Sequence, residues 1–220
     1  MWRKCTERKL QGCRRSLALG RRLRSSLHEN ACDLLRDKVF PILREDDTIR
    51  DIRYDELLIR YANDLCTKFA SRPHCYSLIR SKIRMVAQFL SRIKKIEPTI
   101  DNLSDVFHPR HYDKIVQIIN MMGKYNKETG QLEAPSTAFD LGTQLKILCE
   151  THKFECIKKS DEQRLKEVDN TALLMKQGLS TSVNVYVKEA QINKRRKKQI
   201  VLPSRQDISK LMVYLVGAAC

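Results

Sequence analysis

The stretch YSLIRSKIRMVAQFLSRIKKI, from Tyr76 to Ile96, carries two faces at one spacing. Ile79, Ile83, Val86, Leu90 and Ile93 recur at steps of three and four, the period of one buried side of a helix. Arg80, Arg84, Arg92 and Lys95 follow the same step on a neighbouring strip, flanked by Lys82 and Lys94, and no acid appears before Glu97. Pro98 stops the pattern, because proline lacks an amide hydrogen and drives the preceding residue out of helical geometry. A helix with an apolar face and an unbalanced cationic strip is either simply solvated, its long stems covering apolar surface, or turned toward an anion.

The rest of the chain leans the same way. Its 220 residues hold 42 Lys and Arg against 26 Asp and Glu, a formal charge of +16. Such a field draws polyanions, nucleic acid first among them, and says nothing about fold. Seven glycines and six prolines leave few turn signals, so the expected class is mainly α, a helical bundle. Eight scattered cysteines with no CxxC pair and no leading apolar segment read as reduced thiols, several of them small core residues. No run approaches the roughly 20 apolar residues of a membrane span, so no membrane partner is expected.

Working outward, residues 1–29 form a basic, flexible arm, with nine Lys or Arg and one acid before residue 25. A mitochondrial transit peptide has a similar composition, the alternative to a nuclear address. Residues 30–199 read as the helical domain. Its expected helices begin with a short one capped by Asn30 and ended by Pro41, then one from Tyr54 to Ala70, then the basic helix. A nearly apolar helix around Ile115, Val116, Ile118, Ile119 and Met122, ended by Gly123, should be the most buried. Ser136 or Thr137 caps the next, Ser160 with Gln163 forms a capping box, and a last helix runs from Thr181 into the basic cluster Lys194, Arg195, Arg196, Lys197 and Lys198. Residues 200–220 read as a linker and the truncated start of a following domain, with an amphipathic turn from Asp207 to Leu215.

Chemistry is sparse. Cys149, His152 and Cys156 have the C-x2-H-x3-C spacing of zinc ligands, but no fourth ligand sits at a telling distance, so no metal is expected. His108 and His111 flank Pro109 as surface or capping residues, and Gly-rich phosphate loops and hydrolase motifs are absent. No catalytic residue and no cofactor are assigned.

Several segments together carry a resemblance. They are VFPILREDD from Val39, then Asp55, Leu58, Ile59, Tyr61 and Ala62, then HCYSLIRSKIR from His74 to Arg84. APSTAFDLGTQLK from Ala134 to Lys146 and LPSRQDISKLMVYL from Leu202 to Leu215 complete the set. In this order they resemble the region upstream of the catalytic domain in tyrosine-recombinase-like proteins of animal mobile elements, of the Crypton type, over about Val39 to Leu215. The resemblance implies a core-binding-like helical domain that holds duplex DNA by its phosphates in a recombination context. The family's catalytic set is an Arg, an H-x-x-R and a nucleophilic Tyr. No His here is followed three residues later by Arg, so strand cleavage by this chain is not expected. The DNA-contacting residues are then Arg80, Lys82, Arg84, Arg92, Lys94 and Lys95, with Lys194 to Lys198. The competing reading is a protein-interaction module of a nuclear protein, docking a partner chain through the C-terminal helix and its Ile208 and Leu211.

Overall fold

The structure, a computed structural model, describes residues 27–44, 46–197 and 204–217. The basic arm before Leu27, Lys198 and the Leu202-Pro203 break lie outside them. Nine α-helices make up most of the described chain: α1 Asp47–Asp51, α2 Glu56–Lys68, α3 Tyr76–Ile96, α4 Leu103–Val106, α5 Tyr112–Met122, α6 Pro135–Lys159, α7 Glu162–Ser182, α8 Asn184–Lys197 and α9 Arg205–Gly217. A π-turn at Leu35–Val39 runs straight into a 3-10 turn at Phe40–Ile42 that contains Pro41. A two-residue antiparallel pair, β1 Tyr125–Asn126 with β2 Gln131–Leu132, is the one sheet among the described residues. The mainly α class therefore holds.

The basic helix α3 spans the residues its period predicts, and Ile79, Ile83, Val86, Leu90 and Ile93 are all buried. α6 is the hub, packing on α2, α3, α5, α7 and α8. The expectation that the Ile115–Met122 segment is the most buried is corrected: Ile115, Ile118 and Ile119 are enclosed, but Met121 is exposed and Val116 only half-covered. α6 also leaves Phe139, Ile147, Phe154 and Ile157 exposed on its outer side. Tyr61 of α2 and Gln144 of α6 meet inside the core, the phenol donating to Oε1 at 2.5 Å. Satisfying two buried polar groups this way fixes how the two helices face each other.

Several helix ends differ from the sequence expectation, each because a neighbour supplies the better group. The Cys32 amide donates to Asn63 Oδ1 at 2.9 Å, so a residue of α2 caps the first turn and Asn30 does not. Asp161, not Ser160, caps α7, accepting from Arg164 N at 3.0 Å, while Ser160 takes the left-handed conformation that turns the chain between α6 and α7. Neither Ser136 nor Thr137 caps α6; Ala134 stands at its N-cap without a side-chain bond and Pro135 fills the first turn. At the end of α5 the left-handed residue is Lys124, with φ 54°. Gly123 has ordinary φ and is needed for space, since a Cβ there would lie 2.8 Å from both Ala138 Cβ and Leu132 Cδ2. Val183 interrupts the last long helix and separates α7 from α8.

Gly178, in the middle of α7, faces the Tyr112 ring of α5. An added methyl would overlap the phenol hydroxyl and lie 2.6 Å from Cζ. Elsewhere in a helix Gly→Ala gains about 1 kcal/mol by propensity. Here Gly178→Ala is expected to cost about 1–3 kcal/mol instead, because α5 and α7 are forced apart. Urea unfolding of the variant, alone and with Tyr112→Leu, checks this; the second change should restore most of the loss.

Candidate nucleic-acid interface

α3 turns its outer face to solvent between two neighbours. On one side lies the chain from Lys38 to Asp46, on the other the start of α6 and the end of α2. The cations of that face do not all behave alike. Arg84 is committed to the fold: Nη1 bonds Asp46 Oδ2 at 2.8 Å and Nη2 donates to the Arg44 carbonyl at 2.6 Å. Asp46 in turn caps α1 through Ile49 N at 3.0 Å, and the guanidinium holds its carboxyl below the usual range. Lys94 is half-buried, and its charge acts on Asp55, whose pKa burial nonetheless raises above the usual carboxylate value. Both were assigned to phosphate from the sequence; the structure gives Arg84 an internal carboxylate.

The remaining strip stays available. Arg80 is half-exposed and donates to the Lys38 carbonyl at 3.3 Å. Arg92 lies along its own helix, Nη1 donating to Gln88 O at 3.1 Å. Lys95 is exposed. Lys82 is half-buried, and burial, with Lys68 close by, pushes its pKa down, only partly offset by Asp140. The fold therefore adds cations that the helical period could not reveal: exposed Lys38 and Arg44 on one flank and Lys68 on the other. Beside the strip runs a groove of about 540 Å³ between α3 and α6, lined by Lys82, Arg84 and Gln88 and, across it, by Ser136, Thr137 and Asp140. Its far wall is the N-terminal end of α6, whose dipole adds positive potential.

The second basic cluster stands apart. Arg195 and Arg196 are exposed at the end of α8, which packs on α6, α7 and β2; the main packing contacts among the described residues do not join α8 to α3. Lys194 and Lys197 lie in the same last turns of α8, and Lys198 falls outside the described residues.

The zinc-like triplet does not converge. Cys149 faces the Val168 carbonyl at 3.6 Å, while Cys156 Sγ lies 3.9 Å from His152 Nδ1. Among the described residues no group of three or more His, Cys, Asp or Glu could hold a metal. Burial pushes both thiols up, which disfavours a thiolate at either position. His152 borders a second cavity, of about 490 Å³, also lined by the ion pairs Arg60–Glu155 and Lys159–Glu56.

Burial, with Arg164 and Lys159 adding to it, pushes His152 down to about 4 from an ordinary 6.5. Between those values the unfolded chain holds a proton that the folded chain refuses, so stability falls as pH drops through the window. The loss should reach on the order of 2–3 kcal/mol by pH 4. It should be absent from His152→Gln, so the difference between wild type and that variant in chemical unfolding at stepped pH should show it. His108 caps the turn before α5 through Arg110 N at 3.2 Å, whereas His111 is buried.

Compared with family models, curated proteins and solved structures, the chain matches none. Among the described residues no helix is long and apolar enough to cross a membrane. The exposed apolar side chains of α9 include Ile208, Leu211, Met212 and Leu215.

Proposed function

We propose that this protein is a DNA-binding helical module that grips duplex phosphates with the outer face of α3, in the manner of a core-binding domain of the tyrosine-recombinase-like kind, acting in the nucleus and leaving strand cleavage to another polypeptide. The observation that carries the reading is the charge of that face. Lys38, Arg44, Lys68, Arg80, Lys82, Arg92 and Lys95 come from three separate segments and border one helix that has no acid of its own. Asp46 is neutralised by Arg84, and Asp140 is the other nearby carboxylate that the contacts reveal.

Cations of this kind give affinity and register, and sequence choice comes from base edges. The groove against the start of α6 suits a backbone phosphate, with the Ser136 and Thr137 hydroxyls opposite Lys82. Arg195 and Arg196 supply a separate point of attachment at the end of α8.

Fluorescence anisotropy with labelled duplexes of unrelated sequence tests this. Binding at low salt that is alike for all duplexes and weakens steeply with added salt is the expected result. Absence of binding at low salt, with the chain folded by circular dichroism, would refute it.

A further inference from the structure

Two thiols far apart in the sequence are brought together beside α2. Asn63 of α2 accepts from the Cys32 amide at 2.9 Å and donates Nδ2 to the Asn30 carbonyl at 2.7 Å, clamping residues 30–32 onto the helix. Cys66 stands one turn beyond Asn63, on the same side of α2. The clamp thus sets Cys32 against the same side of α2, near enough for its charge to act on the Cys66 thiol. Cys66 is buried, at 3% exposure, while Cys32 is half-exposed and reachable from solvent. Cys149 and Cys156 face other partners, the Val168 carbonyl and the His152 ring.

We propose that Cys32 and Cys66 form an oxidation-responsive pair that closes a disulfide when the protein meets a hydroperoxide. The Cys32 thiolate attacks the O–O bond and takes one oxygen as sulfenic acid, and the other oxygen leaves as water or an alcohol. The Cys66 sulfur then attacks the Cys32 sulfur. The S–O bond breaks as the S–S bond forms, and hydroxide departs as water with the proton Cys66 gives up. The two thiols lose two electrons in total and the peroxide gains them; a reducing thiol reverses the bridge. Burial raises Cys66 and keeps it protonated, which makes Cys32 the first sulfur to react. The bridge would close a loop of about 35 residues and staple to α2 the segment that bears Lys38 and Arg44. The pair stands independently of the DNA reading.

The test uses the full chain, reduced, freed of reductant and treated with equimolar hydrogen peroxide before its thiols are blocked with N-ethylmaleimide. The unblocked protein should lose the mass of two hydrogens, and a non-reducing peptide map should show Cys32 joined to Cys66. The thermal midpoint should rise by roughly 5–10 °C. Dithiothreitol should reverse all three changes. Cys32→Ser should abolish them and leave Cys66 as a blockable thiol. Recovery of Cys32 as a sulfinic acid, bridged to a different cysteine, or blocked alongside Cys66 would overturn the proposal. The wild-type map decides this even where a variant folds poorly.

Discussion

Replacing Asp55 by alanine is expected to lower the unfolding free energy by about 3–4 kcal/mol, among the largest effects of any single polar side chain here. Its carboxylate is 7% exposed and serves two helices at once. Oδ1 accepts from Leu58 N at 2.9 Å and caps α2; Oδ2 accepts from Leu103 N at 2.7 Å and holds the start of α4. The start of a helix carries amides without intrahelical partners. Alanine would leave two of them buried and unpaired, at about 1–3 kcal/mol each before local relaxation. Asp55→Asn keeps one acceptor oxygen, so it should cost roughly half as much. Chemical unfolding of both variants measures the difference, and a loss below about 1 kcal/mol for alanine would mean that the two caps are not shared.

The second large effect falls on affinity. Changing Arg80, Lys82, Arg92 and Lys95 together to glutamine should weaken duplex binding on the order of 10²-fold at moderate salt, for every sequence alike. The fold should tolerate these changes, because the bonds found for Arg80 and Arg92 go to the Lys38 and Gln88 carbonyls. Arg84→Gln separates the two roles. It breaks the tie between α3, Asp46 and the Arg44 carbonyl, so it should lower stability and leave the salt response of binding nearly unchanged.

α3 could be read from the sequence almost residue by residue. Its apolar residues recur at the helical step, and Pro73 and Pro98 bracket it. The fates of its cations could not. Arg84 meets Asp46, which lies 38 positions earlier, and no local pattern encodes that meeting. For the same reason Lys38, Arg44 and Lys68 joined the candidate interface only in three dimensions. Helix ends were legible in kind and missed in detail where two capping residues stood side by side. Ser160 and Asp161 both suit an N-cap, and the choice falls on Asp161 because Ser160 must adopt the left-handed turn out of α6. Gly123 read as a stop by conformational freedom, whereas Ala138 and Leu132 demand it by lack of room. The spacing of Cys149, His152 and Cys156 put them on one stretch of helix, yet Cys149 turns to α7 and leaves the other two.

The most direct measurement of the central claim is the slope of log affinity against log salt for wild type and the Arg80, Lys82, Arg92, Lys95 quadruple variant on the same duplex. Each phosphate contact contributes about 0.9 to that slope, so the variant's should be shallower by about 3–4. Parallel slopes for the two proteins would mean that the outer face of α3 does not touch the phosphate backbone.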